Sequence, residues 1–194
     1  ARRELALELD DMAAFPPGRV TPLCDPARGD DCGAAPRRPV EHGRFAIDRA
    51  PVTWDEYRAC EAAGACSRIW LTACYVWRDG ALERGAALDP QLVGDGSPAL
   101  CVRWSDAARY CAYARKRLPT AIEWERAARG AEVHRVWSMG RWVAEWIAER
   151  PDDAPAPGAP VRHVYSVAGD GRAELRFTSG YDEPMGHVGF RCAR

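Results

Sequence analysis

Eight cysteines, four histidines and a few helix-borne carboxylates are the residues of this 194-residue chain whose types could do chemistry. Paired thiolates hold soft metals or carry redox steps, and Cys and His at short fixed intervals hold zinc. Cys24, Cys32, Cys60, Cys66, Cys74, Cys101, Cys111 and Cys192 include no Cys-x-x-Cys and no Cys/His grouping with zinc-ligand spacing. An even count without those spacings favours a disulfide framework, and so an oxidising compartment, over free buried thiols in a cytosolic protein. Cys24 with Cys32, and Cys60 with Cys66, would each close a short loop; the connectivity of the whole set stays open. His42, His134, His163 and His187 are dispersed and read as surface or loop histidines. Ser105 and Ser138 lack the strand–turn–helix setting of a nucleophile elbow. Glu123 and Glu125 stand two apart on a helical pattern and so point to different faces. The spacing assembles no catalytic constellation.

The elements that must position these residues follow from periodicity. Phe45–Asp48 reads as a strand. Thr53 with Glu56 three residues on is a capping box, opening a helix whose inner face is Tyr57 and Cys60 and which Gly64 ends. Residues 100–104 read as a short buried strand. Ser105 is placed as N-cap of a second helix with Ala107, Ala108, Tyr110, Cys111 and Tyr113 as its apolar stripe, and Lys116-Arg117 sit near its negative end. Leu118-Pro119-Thr120 stops that helix, and Thr120 with Glu123 caps a third, carrying Trp124, Ala127 and Ala128 up to Gly130. Val161–Val167 and residues 174–178 alternate like strands around Gly169-Asp170-Gly171. Residues 24–39 read as a loop pinched by Cys24 and Cys32. Trp70, Tyr75 and Trp77 are read as core and loop-packing aromatics.

Composition bounds the rest. The formal net charge of −1 gives no reason to expect a nucleic-acid partner or an anionic membrane surface. No apolar run reaches the length of a membrane span. Residues 1–12 are expected to be an arm or linker leading from an upstream anchor or domain, and residues 13–194 a single domain.

The stretch from Cys101 to Gly130 resembles the formylglycine-generating-enzyme (sulfatase-modifying factor) domain family. Val102, Trp104, Ala107, Tyr110, Cys111, Arg117, Leu118, Pro119, Thr120, Glu123, Trp124, Glu125, Ala127, Ala128, Arg129 and Gly130 follow its V-x-W-x-x-A-x-x-Y-C…R-L-P-T-x-x-E-W-E-x-A-A-R-G pattern. Tyr113 and Ala121 replace its usual Trp and Glu. Phe45–Cys60, Ser138–Trp146 and Gly189–Arg194 are similar to further family segments, the last as a closing strand. The resemblance implies an α+β, C-type-lectin-like fold stapled by disulfides. It also implies a Cys111–Cys192 bond joining the central helix to the C-terminal strand, which leaves Cys74 with Cys101.

The same resemblance shows what is missing. The family's aerobic enzymes oxidise a substrate cysteine with a copper-binding thiol pair in the C-terminal third, and this chain has no cysteine between Cys111 and Cys192. Formylglycine-generating oxidase activity is therefore expected to be absent. The family's calcium-site Asn is replaced by Trp142 and the preceding Gly by Arg141, while Glu145 is kept. Calcium takes about six to eight oxygen ligands and Trp offers none, so calcium binding is expected to be weak or lost, with Glu145 turned to a structural partner. No cofactor or metal is expected. The resulting expectation is a non-catalytic binding or protein-interaction module of an extracytoplasmic protein, whose partner is another protein or an envelope or extracellular ligand. Arg141 and Trp142 are its first contact candidates, Tyr165 and Arg176 its second. The alternatives are an enzyme on the same scaffold with unrecognised chemistry or a partner-supplied site, and a structural piece of an envelope complex held by residues 1–12.

Overall fold

Residues 188–193, a run of small and apolar positions around one arginine, lie at the centre of the molecule in the computed structural model. The structure describes residues 11–21, 39–78, 81–85, 87–130, 136, 143–148, 161–167, 173–179 and 182–194, with the side chains of 77, 82, 91, 161–167 and 173–179 outside the description. Phe190, Arg191, Cys192 and Ala193 are all fully buried. Their backbone groups are paired on two sides. Val52 N–H donates to Phe190 O at 2.9 Å, Asp48 N–H to Cys192 O at 2.9 Å, and Arg117 and Ala193 exchange bonds of 2.9 and 2.6 Å. A buried backbone group without a partner would cost about as much as a lost hydrogen bond. The segment is nevertheless not the continuous closing strand expected for 189–194. Only Val188–Gly189 is a regular strand, and beyond it the chain makes single bridges from Ala193 to Ile47 and to Arg117.

Around this segment, among the described residues, lie small sheets and three α-helices. Strand β1 (Met12–Phe15) pairs antiparallel with β4 (Phe45–Asp48), and β2 (Gly18–Val20) with β3 (Val40–His42). A hairpin joins β5 (Tyr75–Arg78) to β6 (Ala81–Arg84). The remaining sheet has four strands in the order β10 (Val188–Gly189), β7 (Ala144–Trp146), β8 (Val161–Val167), β9 (Ala173–Ser179); β10 and β7 run parallel and the others antiparallel.

Helix α1 (Trp54–Ala62) and helix α3 (Ala121–Arg129) start at Thr53 and Thr120, each with the reciprocal capping box that its Glu three residues on provides. Each cap satisfies amides that the first helical turn leaves unpaired, at about 1 kcal/mol per helix. Helix α2 (Trp104–Tyr113) starts differently from the expectation. Its N-cap is Arg103, and residues 100–103 are irregular rather than a strand. Ser105 lies inside the first turn, where the distant carboxylate of Asp182 accepts its N–H at 3.1 Å and its hydroxyl. A negative charge from a sequence-remote loop thus serves the positive end of α2, which no local pattern could show.

The end of α2 also departs from expectation. Tyr113 is 48% exposed instead of completing the buried stripe. Lys116 and Arg117 are not helix-end cations but ion-pair partners of Asp48 and Glu123, at 2.6 and 2.5 Å. The chain turns through Arg115 at φ +56°, with Lys116 N–H on Cys111 O and Arg115 N–H on Ala112 O, a Schellman closure with arginine where glycine is usual.

Disulfides bond Cys60 to Cys66, Cys74 to Cys101 and Cys111 to Cys192; Cys24 and Cys32 lie outside the described residues. Among the described residues the core divides into three clusters, one around Tyr57, Trp146 and Phe190, one around Phe15, Phe45 and Trp124, and one around Trp54, Leu100 and Val143. Each buried large side chain contributes on the order of 1.5–3 kcal/mol. Among the described residues no helix is long and apolar enough to cross a membrane.

Candidate functional site

Two places hold the charged groups of interest: a closed network in the core and an open cleft at the surface. Helix α3 and strand β7 bring the network together. Glu145 and Arg191 are both 0% exposed and bond side by side, Arg191 Nε to Glu145 Oε2 at 2.6 Å and Nη2 to Oε1 at 2.6 Å. The indole N–H of Trp124 donates to Glu145 Oε2 at 2.8 Å, and Arg191 Nη1 donates to the carbonyls of Asp48 and Arg49 at 3.1 and 3.2 Å. Both oxygens of Glu145 are thus held by donors. A buried pair this well satisfied offsets its own desolvation. Beside it Asp48 takes Lys116 and the Cys192 amide; burial pushes its carboxyl above the ordinary range against the pull of Lys116.

The cleft, of about 290 Å³, is framed by two segments. Its first wall is the loop 67–70 behind α1. Sequence ties that loop down three times, through the Cys60–Cys66 bond, the Tyr57 hydroxyl on Ser67 O at 3.0 Å, and the Ile69 amide on Glu61 Oε1 at 2.7 Å. Burial raises the Tyr57 phenol well above its usual range, so it stays a neutral donor. The second wall is the entry to α2. Cys101 adopts φ +60°, a left-handed conformation that costs a non-glycine residue of order 1–3 kcal/mol, and is held there by Cys74 and by its own amide on Met185 O at 3.0 Å. Backbone strain of that kind collects where a surface is shaped for use.

Between these walls the cleft presents Arg68, Trp70, Arg103 and Asp106 over an apolar base that includes Ile69 and Pro184. Trp70 is 60% exposed and its ring lies 4.8 Å from the Arg68 guanidinium, with Leu71 beside it 42% exposed. The assignment of Trp70 to loop packing is therefore corrected: it is the most exposed large apolar side chain among the described residues. Ser67-Arg68-Ile69-Trp70 carries the only advance signal, an aromatic and an arginine set in a short loop that follows a cysteine.

The contact candidates from sequence fall elsewhere. Arg141 and Trp142 lie outside the described residues. Tyr165 is on β8, opposite Glu145 in register, and Arg176 is on β9; their side chains are not described. Among the described residues no three His, Cys, Asp or Glu side chains converge as a metal-holding group.

A family model for the sulfatase-modifying factor enzyme 1-like domain matches residues 2–156. The chain belongs to the sulfatase-modifying factor family. Its fold is that family's α+β, C-type-lectin-like fold. It is similar to the inactive C-alpha-formylglycine-generating enzyme 2 of Mus musculus, 32% identical over 161 residues, which cover 66% of this chain and 50% of that protein. It is also similar to the hercynine oxygenase of Mycobacterium tuberculosis, 31% identical over 147 residues, 67% of this chain and 34% of that one. The chain thus spans about half the length, or less, of these relatives. Among solved structures PvdO from Pseudomonas aeruginosa superposes with a TM-score of 0.56 at 20% identity, over 94% of this chain and 93% of that one.

For a sulfatase-modifying factor domain, Glu145 is the residue on which a calcium site would turn. It does not fit one here. Calcium needs open carboxylate and carbonyl oxygens, and both Glu145 oxygens already accept from Arg191 and Trp124 inside a sealed core.

Proposed function

We propose that this chain is a non-catalytic binding or protein-interaction module of an extracytoplasmic protein, built on the sulfatase-modifying factor scaffold. The observation that carries this reading is the cleft at Trp70. An exposed indole and two guanidinium groups stand there between two anchored walls, which supports contact rather than turnover. Trp and Arg are the residues that most often anchor interfaces. Support comes from two further features. The family glutamate is committed to the core, and no cysteine stands between Cys111 and Cys192 to serve as a redox thiol. The three disulfides among the described residues suit an oxidising compartment. In this reading the binding domain begins with β1, which takes in Met12 from the arm that sequence suggested over residues 1–12, and Arg141, Trp142, Tyr165 and Arg176 are further contact candidates.

A heteronuclear NMR screen of the whole chain against small peptide and saccharide fragments tests the proposal. Shifts clustered at Ile69, Trp70, Ala73 and Arg103, with every fragment recovered unchanged, are the expected result. Conversion of a fragment under dioxygen would instead favour the alternative of an enzyme on this scaffold, a reading that the similarity to an oxygenase keeps in play.

A further inference from the structure

The groups that the cleft leaves unsatisfied define what it can hold. Arg109 donates to the Ser67 hydroxyl at 2.9 Å and pairs with Asp106 at 3.6 Å, so the hydroxyl and the carboxylate of the lining are already engaged. Arg68 and Arg103 differ. Among the described residues neither has a carboxylate within ion-pair distance, and Arg68 only stacks on Trp70. Beside these two arginines lies an apolar strip of Ile69, Ala73 and Pro184, with Leu71 extending the rim beside Trp70.

A saccharide asks for many neutral donors and acceptors, and the one hydroxyl among the lining side chains, that of Ser67, is already engaged. What remains is two guanidiniums beside an apolar strip, the complement of carboxylates carried next to apolar side chains. Guanidinium forks match a carboxylate through two parallel hydrogen bonds. The loop bearing Arg68 is held on Tyr57 and Glu61, so little order is lost on binding. A cleft of about 290 Å³ takes side chains rather than a folded surface.

We infer that the cleft receives an acidic peptide segment. An Asp or Glu carboxylate of the segment meets Arg103 and Arg68, and a neighbouring apolar side chain lies against Ile69, Ala73 and the free part of Trp70. This rests on the reading of the cleft as a binding site.

The test is calorimetric titration of the whole chain with a short capped peptide of alternating Glu and Leu, against its Gln–Leu counterpart and a polygalacturonate oligomer. The Glu–Leu peptide is expected to bind with an affinity that falls as salt is raised. The Gln–Leu peptide should bind about tenfold or more weakly, because a hydrogen bond to a charged group carries at least that factor. Arg68→Gln and Arg103→Gln should each cost a similar factor and Trp70→Ala more, whereas Tyr113→Ala, at the far end of α2, should change nothing. Since the Gln–Leu comparison uses the unaltered protein, a variant that fails to fold leaves the inference exposed to refutation. Equal binding of the two peptides, or binding of neither, overturns it. Preference for polygalacturonate through the same arginines also overturns it while leaving a binding cleft. Chemical change in a bound peptide would overturn the non-catalytic reading instead.

Discussion

Replacing Glu145 with Gln keeps the volume of the side chain and removes its charge from the centre of the core. Arg191 would then be a fully buried guanidinium facing an amide. Two charge-assisted bonds of 2.6 Å are weakened or lost, and the Trp124 indole keeps at best a neutral acceptor. Breaking one side of a buried pair costs about 3–5 kcal/mol, because the partner's charge stays buried and uncompensated. For a chain of this size that is a fall in thermal midpoint of roughly 6–20 °C. Urea unfolding monitored by tryptophan fluorescence, with calorimetry alongside, measures it. The double change Glu145→Met with Arg191→Met removes both charges and should cost less than Glu145→Gln alone. Added calcium or a chelator should leave the wild-type midpoint where it is, since only a ligand that binds the folded state shifts it. A loss below about 1 kcal/mol for Glu145→Gln, or a calcium-dependent rise in the midpoint, would refute the assignment of Glu145 to the core.

Further outcomes follow from the same structure. Burial works to raise the Glu123 carboxyl, but its bonds to Arg117 and to Thr120 outweigh that and hold it below its ordinary 4.5. Its contribution to stability is therefore complete above that pH and is lost as pH falls through the lower folded value. Glu123→Gln should flatten the acid limb of a stability–pH curve and leave the alkaline side parallel to wild type. Arg115→Gly relieves a left-handed residue at the close of α2 and should raise stability by about 0.5–1 kcal/mol in urea titration, after the extra chain entropy of glycine is set against it. In the chain-entropy picture the Cys111–Cys192 bond, spanning a sequence separation of 81, is worth about 4–5 kcal/mol, and Cys60–Cys66, spanning 6, about 2. Paired Cys→Ser changes compared by calorimetry should keep that order.

Local sequence was a good guide wherever the determinant was local. Thr53/Glu56 and Thr120/Glu123 are capping boxes because a Thr and a Glu three apart reach one another's backbone whatever surrounds them. Phe45–Asp48, a short apolar run, and Val161–Val167, which alternates, form strands. The family pattern likewise led to Glu145 as a structural residue. The misreadings have a common cause. Ser105 looks like an N-cap until Asp182, remote in sequence, supplies the negative charge from outside; Lys116 looks like a helix-end cation until β4 brings Asp48 to it. Trp70 looked like core because aromatics in loops usually pack, and its exposure depends on where the Cys60–Cys66 turn and the α2 entry come to rest. The cleft is a product of tertiary placement, and no spacing rule over 66–106 contains it.

The most direct test of the central claim, a family scaffold kept for contact rather than for oxidation, is elemental analysis of the natively purified chain coupled to dioxygen uptake with a thiol-containing peptide. The account predicts copper and iron far below one per chain and uptake equal to the protein-free blank. Stoichiometric copper or iron together with uptake above the blank, unchanged in Trp70→Ala, would contradict it.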